Sequence, residues 1–189
     1  GEVYNDLDEN VVNFFRVAKD HGEELQERLR WIPYSRQEFK RFRRLWKSPE
    51  WRYQTDMDRA VAWCVMMRMA CSANLKSASW GYAVWRGGNS GSWPPDAFVN
   101  TVEGLLIPFR DRLRHVQLEN LDFEDVITRY QSGHALIYAD PLYVGMEDVY
   151  TEGGFSESDH RRLAGALRES PAKVIVSYQD HPLVDELYE

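Results

Sequence analysis

The sequence predicts an α/β fold, a parallel sheet that carries a mostly helical insertion. The first observation is a set of short apolar runs of strand length. Ala135-Leu136-Ile137-Tyr138-Ala139 and Lys173-Val174-Ile175-Val176-Ser177-Tyr178 are continuous enough to read as buried parallel strands, and His115-Val116-Gln117-Leu118 makes a third. The second is that segments of helical period separate them, which gives parallel pairing with right-handed crossovers. The third is the residue that ends the central run. Asp140 stands just past it, and open α/β sheets gather their ligands outside the carboxyl ends of the strands.

In chain order, Glu2 to Asp6 reads as the tail of a strand. Asp8 caps a helix from Glu9 to His21, with Val11, Val12, Phe14, Phe15 and Ala18 at helical spacing. Glu23 to Leu29 makes a second helical piece. Pro33-Tyr34-Ser35 breaks the chain, and Ser35 with Glu38 has capping-box spacing for a helix reaching about Lys47. Asp56 or Asp58 opens an apolar helix running to Leu75, apolar nearly all round and therefore core. Lys76 to Pro95 is a long loop rich in Ser, Gly and Trp, of a kind that is usually either functional or disordered. Asp96 to Leu113 is expected to be helical, interrupted or kinked at Pro108. A helix from Glu124 to Tyr130 precedes the central strand. Ser156, with Asp159 in capping-box position, then opens a helix to about Glu169. This organisation predicts a split sheet domain, residues 1–30 and 106–189, interrupted by a helical insertion, residues 31–105.

The chain has 189 residues, 43% of them hydrophobic and 28% charged, which excludes a disordered chain. No apolar run approaches the roughly 20 residues of a membrane span, and no signal peptide opens the sequence. A cytoplasmic protein is expected. Cys64 and Cys71 lie seven apart on one predicted helix, too far apart to bridge, and read as reduced core residues. The five histidines show no metal-ligand spacing, so no metal is expected. The net charge of −7 hides a segregation. From Arg28 to Arg52 there are nine basic residues and only Glu38 and Glu50 to oppose them. Trp31, Tyr34, Phe39, Phe42, Trp46 and Trp51 interleave this window. Such a pattern is either a nucleic-acid surface or a solvated helix face with its aromatics turned inward.

Asp140-Pro141-Leu142-Tyr143 resembles the Asp-Pro-Pro-Tyr signature of amino-group DNA methyltransferases, and nearly all 189 residues resemble the D12 class of adenine-specific (N6) enzymes. Glu2-Val3-Tyr4-Asn5-Asp6-Leu7 looks like that family's second motif. Pro33 to Phe39 looks like the opening of its helical insertion, and Arg112 to Val116 with Asn120-Leu121-Asp122-Phe123 like its cofactor-adenine segment. Ser177 to Leu183 and Glu186-Leu187-Tyr188 look like its late strand–loop motif. The resemblance implies a Rossmann-like methyltransferase sheet, S-adenosylmethionine as cofactor and double-stranded DNA as partner. It implies that Asp140, Pro141 and Tyr143 act on a flipped adenine. Asp6 would meet the cofactor's ribose, and Asp122, Phe123 and Asp140 would complete the cofactor contacts. Arg36, Lys40, Arg43, Arg44 and Lys47 would meet DNA phosphates.

Two departures from the family's pattern stand out. Leu142 replaces a second proline, which predicts a looser turn. The glycine-rich first motif has no counterpart and the last family block is missing, so a fragment or a degenerate relative with weak cofactor binding is expected. The alternative functions are a catalytically silent DNA-binding relative, an N4-cytosine DNA methyltransferase, and an α/β enzyme acting on a nucleotide-like small molecule.

Overall fold

The structure, a computed structural model, describes residues 1–71, 79–82, 93–146 and 154–188. Contacts divide the chain into two units, Gly1–Asn120 and Leu121–Glu189. Residues 31–105 lie wholly within the first.

In the first unit, β1 (Glu2–Asn5) pairs in parallel with β2 (Val116–Glu119), Glu2 opposite Val116 and Asn5 opposite Glu119. Helix α1 (Glu9–Arg30) starts where expected, because the Asp8 carboxylate accepts the free Asn10 N–H at 2.8 Å. The two expected helical pieces meet at His21, whose non-helical backbone kinks α1 there. Helix α2 (Arg36–Trp46) is capped by Ser35, whose hydroxyl accepts from the Glu38 N–H at 3.1 Å. Glu38 itself pairs with Arg41 at 3.0 Å. A short 3₁₀ turn (Pro49–Tyr53) leads to α3 (Asp56–Met69).

Thr55 caps α3, accepting from the Asp58 N–H at 3.1 Å, so Asp56 and Asp58 are first-turn acids that favour the positive end of the helix. Buried Phe14, Val17, Leu25 and Leu29 of α1 and Ala60, Val61, Val65, Met66 and Met69 of α3 belong to one apolar cluster. Helix α3 is shorter than expected, and the expected turn from Ala70 to Leu75 is corrected at its start. Ala70 pairs with Trp80 in an antiparallel bridge, and residues 72–75 lie outside the described residues. Cys71 is thereby exposed beyond the helix, while Cys64 is buried in it.

The expected kink at Pro108 is also corrected. Helix α4 (Pro94–Asn100) passes through a π turn (Thr101–Leu105) into α5 (Leu106–Leu113), and the irregularity lies upstream of the proline. The proline ring would clash with the carbonyl four residues back, which is Gly104, inside the π turn. The Val102 carbonyl in that turn accepts from the Gln26 amide at 2.8 Å.

In the second unit, α6 (Phe123–Tyr130) is capped by Asp122, whose carboxylate accepts the Glu124 N–H at 2.9 Å. Strand β3 (Leu136–Ala139) pairs in parallel with β4 (Lys173–Val176) across the crossover helix α7 (Glu157–Glu169). The capping box of α7 is complete in both directions between Ser156 and Asp159. A last helix, α8 (Pro182–Tyr188), has no counterpart in the sequence reading.

The two ladders are separate pairs within their units, and the expectation of fully buried strands is corrected for β3 and β4. Ile137, Ala139, Val174 and Val176 pack with Ile127 of α6 and with Leu163 and Leu167 of α7. The opposite face is open, with Leu136 63%, Tyr138 62% and Ile175 52% exposed. A continuous apolar run was read as two-sided burial; the unit supplies one helical layer. No described helix is long and apolar enough to cross a membrane.

Packing and thiol environment give two expectations. Leu25→Ala, at a site with no exposed surface, lowers stability by about 2–5 kcal/mol, read from urea denaturation. Leu136→Ser on the open face changes it by less than about 0.5 kcal/mol; a loss as large as that of Leu25→Ala contradicts a one-sided strand. Burial pushes the Cys64 thiol up to about 12, whereas hydrogen bonds from Ser79 pull the Cys71 thiol below its usual range. A thiol reagent added to native protein therefore labels Cys71 and spares Cys64, as peptide mapping reads.

Candidate active site and basic helix face

The strand that carries Asp140 ends at a definite bond. The Ser177 N–H donates to the Ala139 carbonyl at 2.9 Å, the last rung between β3 and the chain leaving β4. Asp140 is the first residue beyond it, and its side chain is exposed. Among the described residues its carboxylate makes no hydrogen bond or ion pair. Pro141, Leu142 and Tyr143 follow, all half-buried. A turn closes at once, with the Met146 N–H on the Tyr143 carbonyl at 2.9 Å and Gly145 at φ +86°. A side chain at that positive φ would be strained, so glycine belongs there. The Gln179 amide donates to the Val144 carbonyl at 3.2 Å, tying the loop to the chain after β4. The Gly-rich stretch expected next extends into residues 147–153, outside the described residues.

Tyr143 is held from the same side. Its hydroxyl lies 3.4 Å from Ser177 Oγ, and its ring centroid is 6.4 Å from that of Tyr178, tilted by 40°. Tyr178 is fixed in turn by the buried His160 of α7, whose Nδ1 meets its hydroxyl at 2.8 Å. Burial, with Tyr188 nearby, raises the Tyr178 phenol above its ordinary value. The ring of Tyr178 also meets those of His160 and Tyr188, at 5.5 and 5.7 Å. The sequence named Tyr143; this support behind it went unread. His160 and Tyr178 are 18 residues apart on different elements, and no local period links them.

Asp122 and Phe123 sit at the start of α6. Besides capping the helix, Asp122 pairs with Arg162 at 3.2 Å, and the same guanidinium lies 4.8 Å from the Phe123 ring centroid. Arg162 also reaches Glu124 at 2.7 Å and Asp159 at 2.8 Å. One arginine thus gathers the amino-terminal ends of α6 and α7. Such partly exposed pairs hold geometry more than they add stability.

Asp6 lies in the first unit, just past β1. Its amide donates to the Glu119 carbonyl at 3.3 Å, and Asn120 donates to the Asp6 carbonyl at 2.7 Å. The carboxylate accepts from the Tyr4 hydroxyl at 3.0 Å and from the Asp8 N–H at 2.9 Å. Burial raises its pKa, against the lowering effect of those two hydrogen bonds. Asp6 therefore makes a turn to the N-cap of α1, and each oxygen keeps a second lone pair for another donor.

The basic window is resolved by α2. Phe39 and Phe42 point into the core, at 2% and 7% exposure, while Arg36, Gln37, Lys40, Arg43, Arg44 and Lys47 line one open concavity. Of the aromatics that interleave the window, Phe39 and Phe42 are buried, Tyr34, Trp46 and Trp51 pack against the core, and Trp31 stays exposed. Arg36 does something the sequence did not suggest. Its guanidinium lies over the rings of Trp80 and Tyr82.

The chain matches the family of D12 class N6 adenine-specific DNA methyltransferases over residues 2–189. It is also similar to a type II methyltransferase (M1.LlaDCHI) of Lactococcus lactis subsp. cremoris. The two are 25% identical over 203 residues, an alignment covering 98% of this chain and 68% of that protein. A carboxylate, a proline and an aromatic in one loop beyond a parallel strand, within a match that spans the whole described chain, lead to one conclusion: the chain belongs to the D12 class N6 adenine-specific DNA methyltransferases.

Proposed function

We propose that the protein transfers a methyl group from S-adenosylmethionine to N6 of an adenine flipped out of double-stranded DNA, with a Rossmann-like sheet as its scaffold. The observation that carries the reading is the loop after β3. It holds two acceptors, the free Asp140 carboxylate and the Pro141 carbonyl, beside a ring tethered to Ser177 and Tyr178.

The exocyclic amine of adenine is a weak nucleophile because its lone pair is delocalised into the ring. Asp140 and the Pro141 carbonyl accept its two hydrogens and favour a tetrahedral nitrogen whose lone pair is free. The proline has no N–H and a fixed φ, so it presents only an acceptor. Tyr143 covers the base that has left its stack, and Asp140 holds the proton that the nitrogen must shed. No covalent enzyme intermediate is needed; positioning and electrostatics supply the rate.

The donor set fits the cofactor in each unit taken by itself. Asp6 keeps lone pairs for ribose hydroxyls; Asp122 and Phe123 offer a carboxylate and a backbone amide to an adenine ring. When bound, S-adenosylmethionine supplies a methyl group on a sulfonium, the electrophile the amine requires. Residues 31–105 are the proposed DNA-facing insertion, with Arg36, Lys40, Arg43, Arg44 and Lys47 along phosphates.

Transfer of labelled methyl groups to DNA tests the loop. Asp140→Ala is expected to lower the rate on the order of 10²- to 10³-fold; an unchanged rate contradicts the assignment. Tyr143→Phe keeps the ring and most of the activity, whereas Tyr143→Ala weakens retention of the flipped base by about 1–3 kcal/mol. The basic stripe is tested separately by binding across a salt series. Lys40→Ala combined with Arg44→Ala is expected to reduce the slope of log K against log salt by about 2. An unchanged slope removes these residues from the DNA contact.

A further inference from the structure

Trp80 and Tyr82 are two residues apart in an extended segment, so their side chains leave the backbone on the same side. Their rings stack with centroids 5.7 Å apart and planes 9° from parallel. The Arg36 guanidinium lies 4.7 Å from the Trp80 centroid and 5.6 Å from that of Tyr82. Even so, Tyr82 is 64% exposed.

The mount beneath these rings is stiff. Trp80 bridges Ala70, the Gly81 N–H donates to the Met69 carbonyl at 2.7 Å, and the Cys71 N–H donates to the Ser79 carbonyl at 3.0 Å. The Tyr34 hydroxyl donates to the Gly81 carbonyl at 2.7 Å, and the Tyr34 ring packs on Trp80 and Phe98. Gly81 is pressed so closely on the end of α3 that a Cβ there would stand 3.2 Å from the Met69 and Ala70 oxygens. A scattered exposed aromatic needs no explanation. A tyrosine stacked on tryptophan, covered by an arginine and held by this many backbone bonds is a prepared surface, and preorganisation lowers the cost of binding on it.

Arg36 joins this surface to the basic stripe. From Arg36 the charges continue through Lys40 and Arg44 at four-residue spacing, with Arg43 and Lys47 beside them, over about 16 Å of helix. A positive track that ends on exposed stacked aromatics has the construction of a site for unpaired nucleotides: phosphates follow the charges and bases lie on the rings. Duplex phosphates alone would leave Tyr82 without a task.

We infer that Arg36, Trp80 and Tyr82 form a stacking platform for an unpaired nucleobase of a DNA strand whose phosphates run along α2. This rests on the reading of α2 as a phosphate-binding face. The platform is indifferent to base identity, because every base has a π face, and it is separate from the Asp140 loop that acts on the adenine amine.

Fluorescence anisotropy with two labelled strands of equal length tests it, one of ordinary single-stranded DNA and one in which every residue is abasic. Both carry the same phosphates. The protein is expected to bind the base-bearing strand at least about fivefold more tightly. Tyr82→Ala removes that preference, Tyr82→Phe retains it, and Lys40→Ala with Arg44→Ala weakens binding of both strands alike. Equal binding of the two strands, or a preference that survives Tyr82→Ala, overturns the platform and leaves the phosphate face standing. Absence of salt-dependent binding to either strand overturns both.

Discussion

The hydrogen bond from the Ser177 N–H to the Ala139 carbonyl marks where the β3–β4 ladder stops, and Asp140, the carboxylate of the proposed site, follows one residue later. Parallel pairing is what makes this stopping point useful. Both strands run the same way, so both of their carboxyl ends open onto one edge, and the loops after them can be tied together. Val144 is bonded to Gln179, Tyr143 approaches Ser177 and Tyr178, and Gly145 turns the chain back before it can drift. Among the described residues Asp140 is left out of this network, and its side chain is exposed.

The first unit follows a different rule, in which burial on one side of a helix sets the chemistry of the other. Phe39 and Phe42 commit one face of α2 to the core that α1 and α3 build. Arg36, Lys40, Arg41 and Arg44 of the same helix are exposed. The end of α3 anchors the backbone of Trp80 and Tyr82; the Trp80 ring packs on Tyr34, and Arg36 lies over both rings.

Local signals were legible in the sequence, and tertiary ones were not. Asp8, Ser35 and the Ser156–Asp159 box are caps because a short polar side chain before an apolar period has one helix end to satisfy. Strand positions were read correctly from apolar runs, yet the burial of β3 was overestimated, since a run of apolar residues does not reveal how many layers cover it. Pro108 drew attention to itself, but the helix absorbed it through a π turn centred several residues earlier, with Gln26 of a distant helix meeting a carbonyl there. The motif and the strand end placed Asp140, Pro141 and Tyr143 just past β3, where the structure has them. Arg162, His160 and the stacking of Arg36 on Trp80 and Tyr82 were not, because each depends on elements brought together only by folding.

The central claim is that the Asp140 loop receives the exocyclic amine of adenine. Nucleoside analysis of DNA after incubation with the protein and S-adenosylmethionine tests it most directly. The account predicts N6-methyladenine as the modified base. N4-methylcytosine as the product, or DNA bound in the presence of cofactor with no methylated base formed, would contradict it.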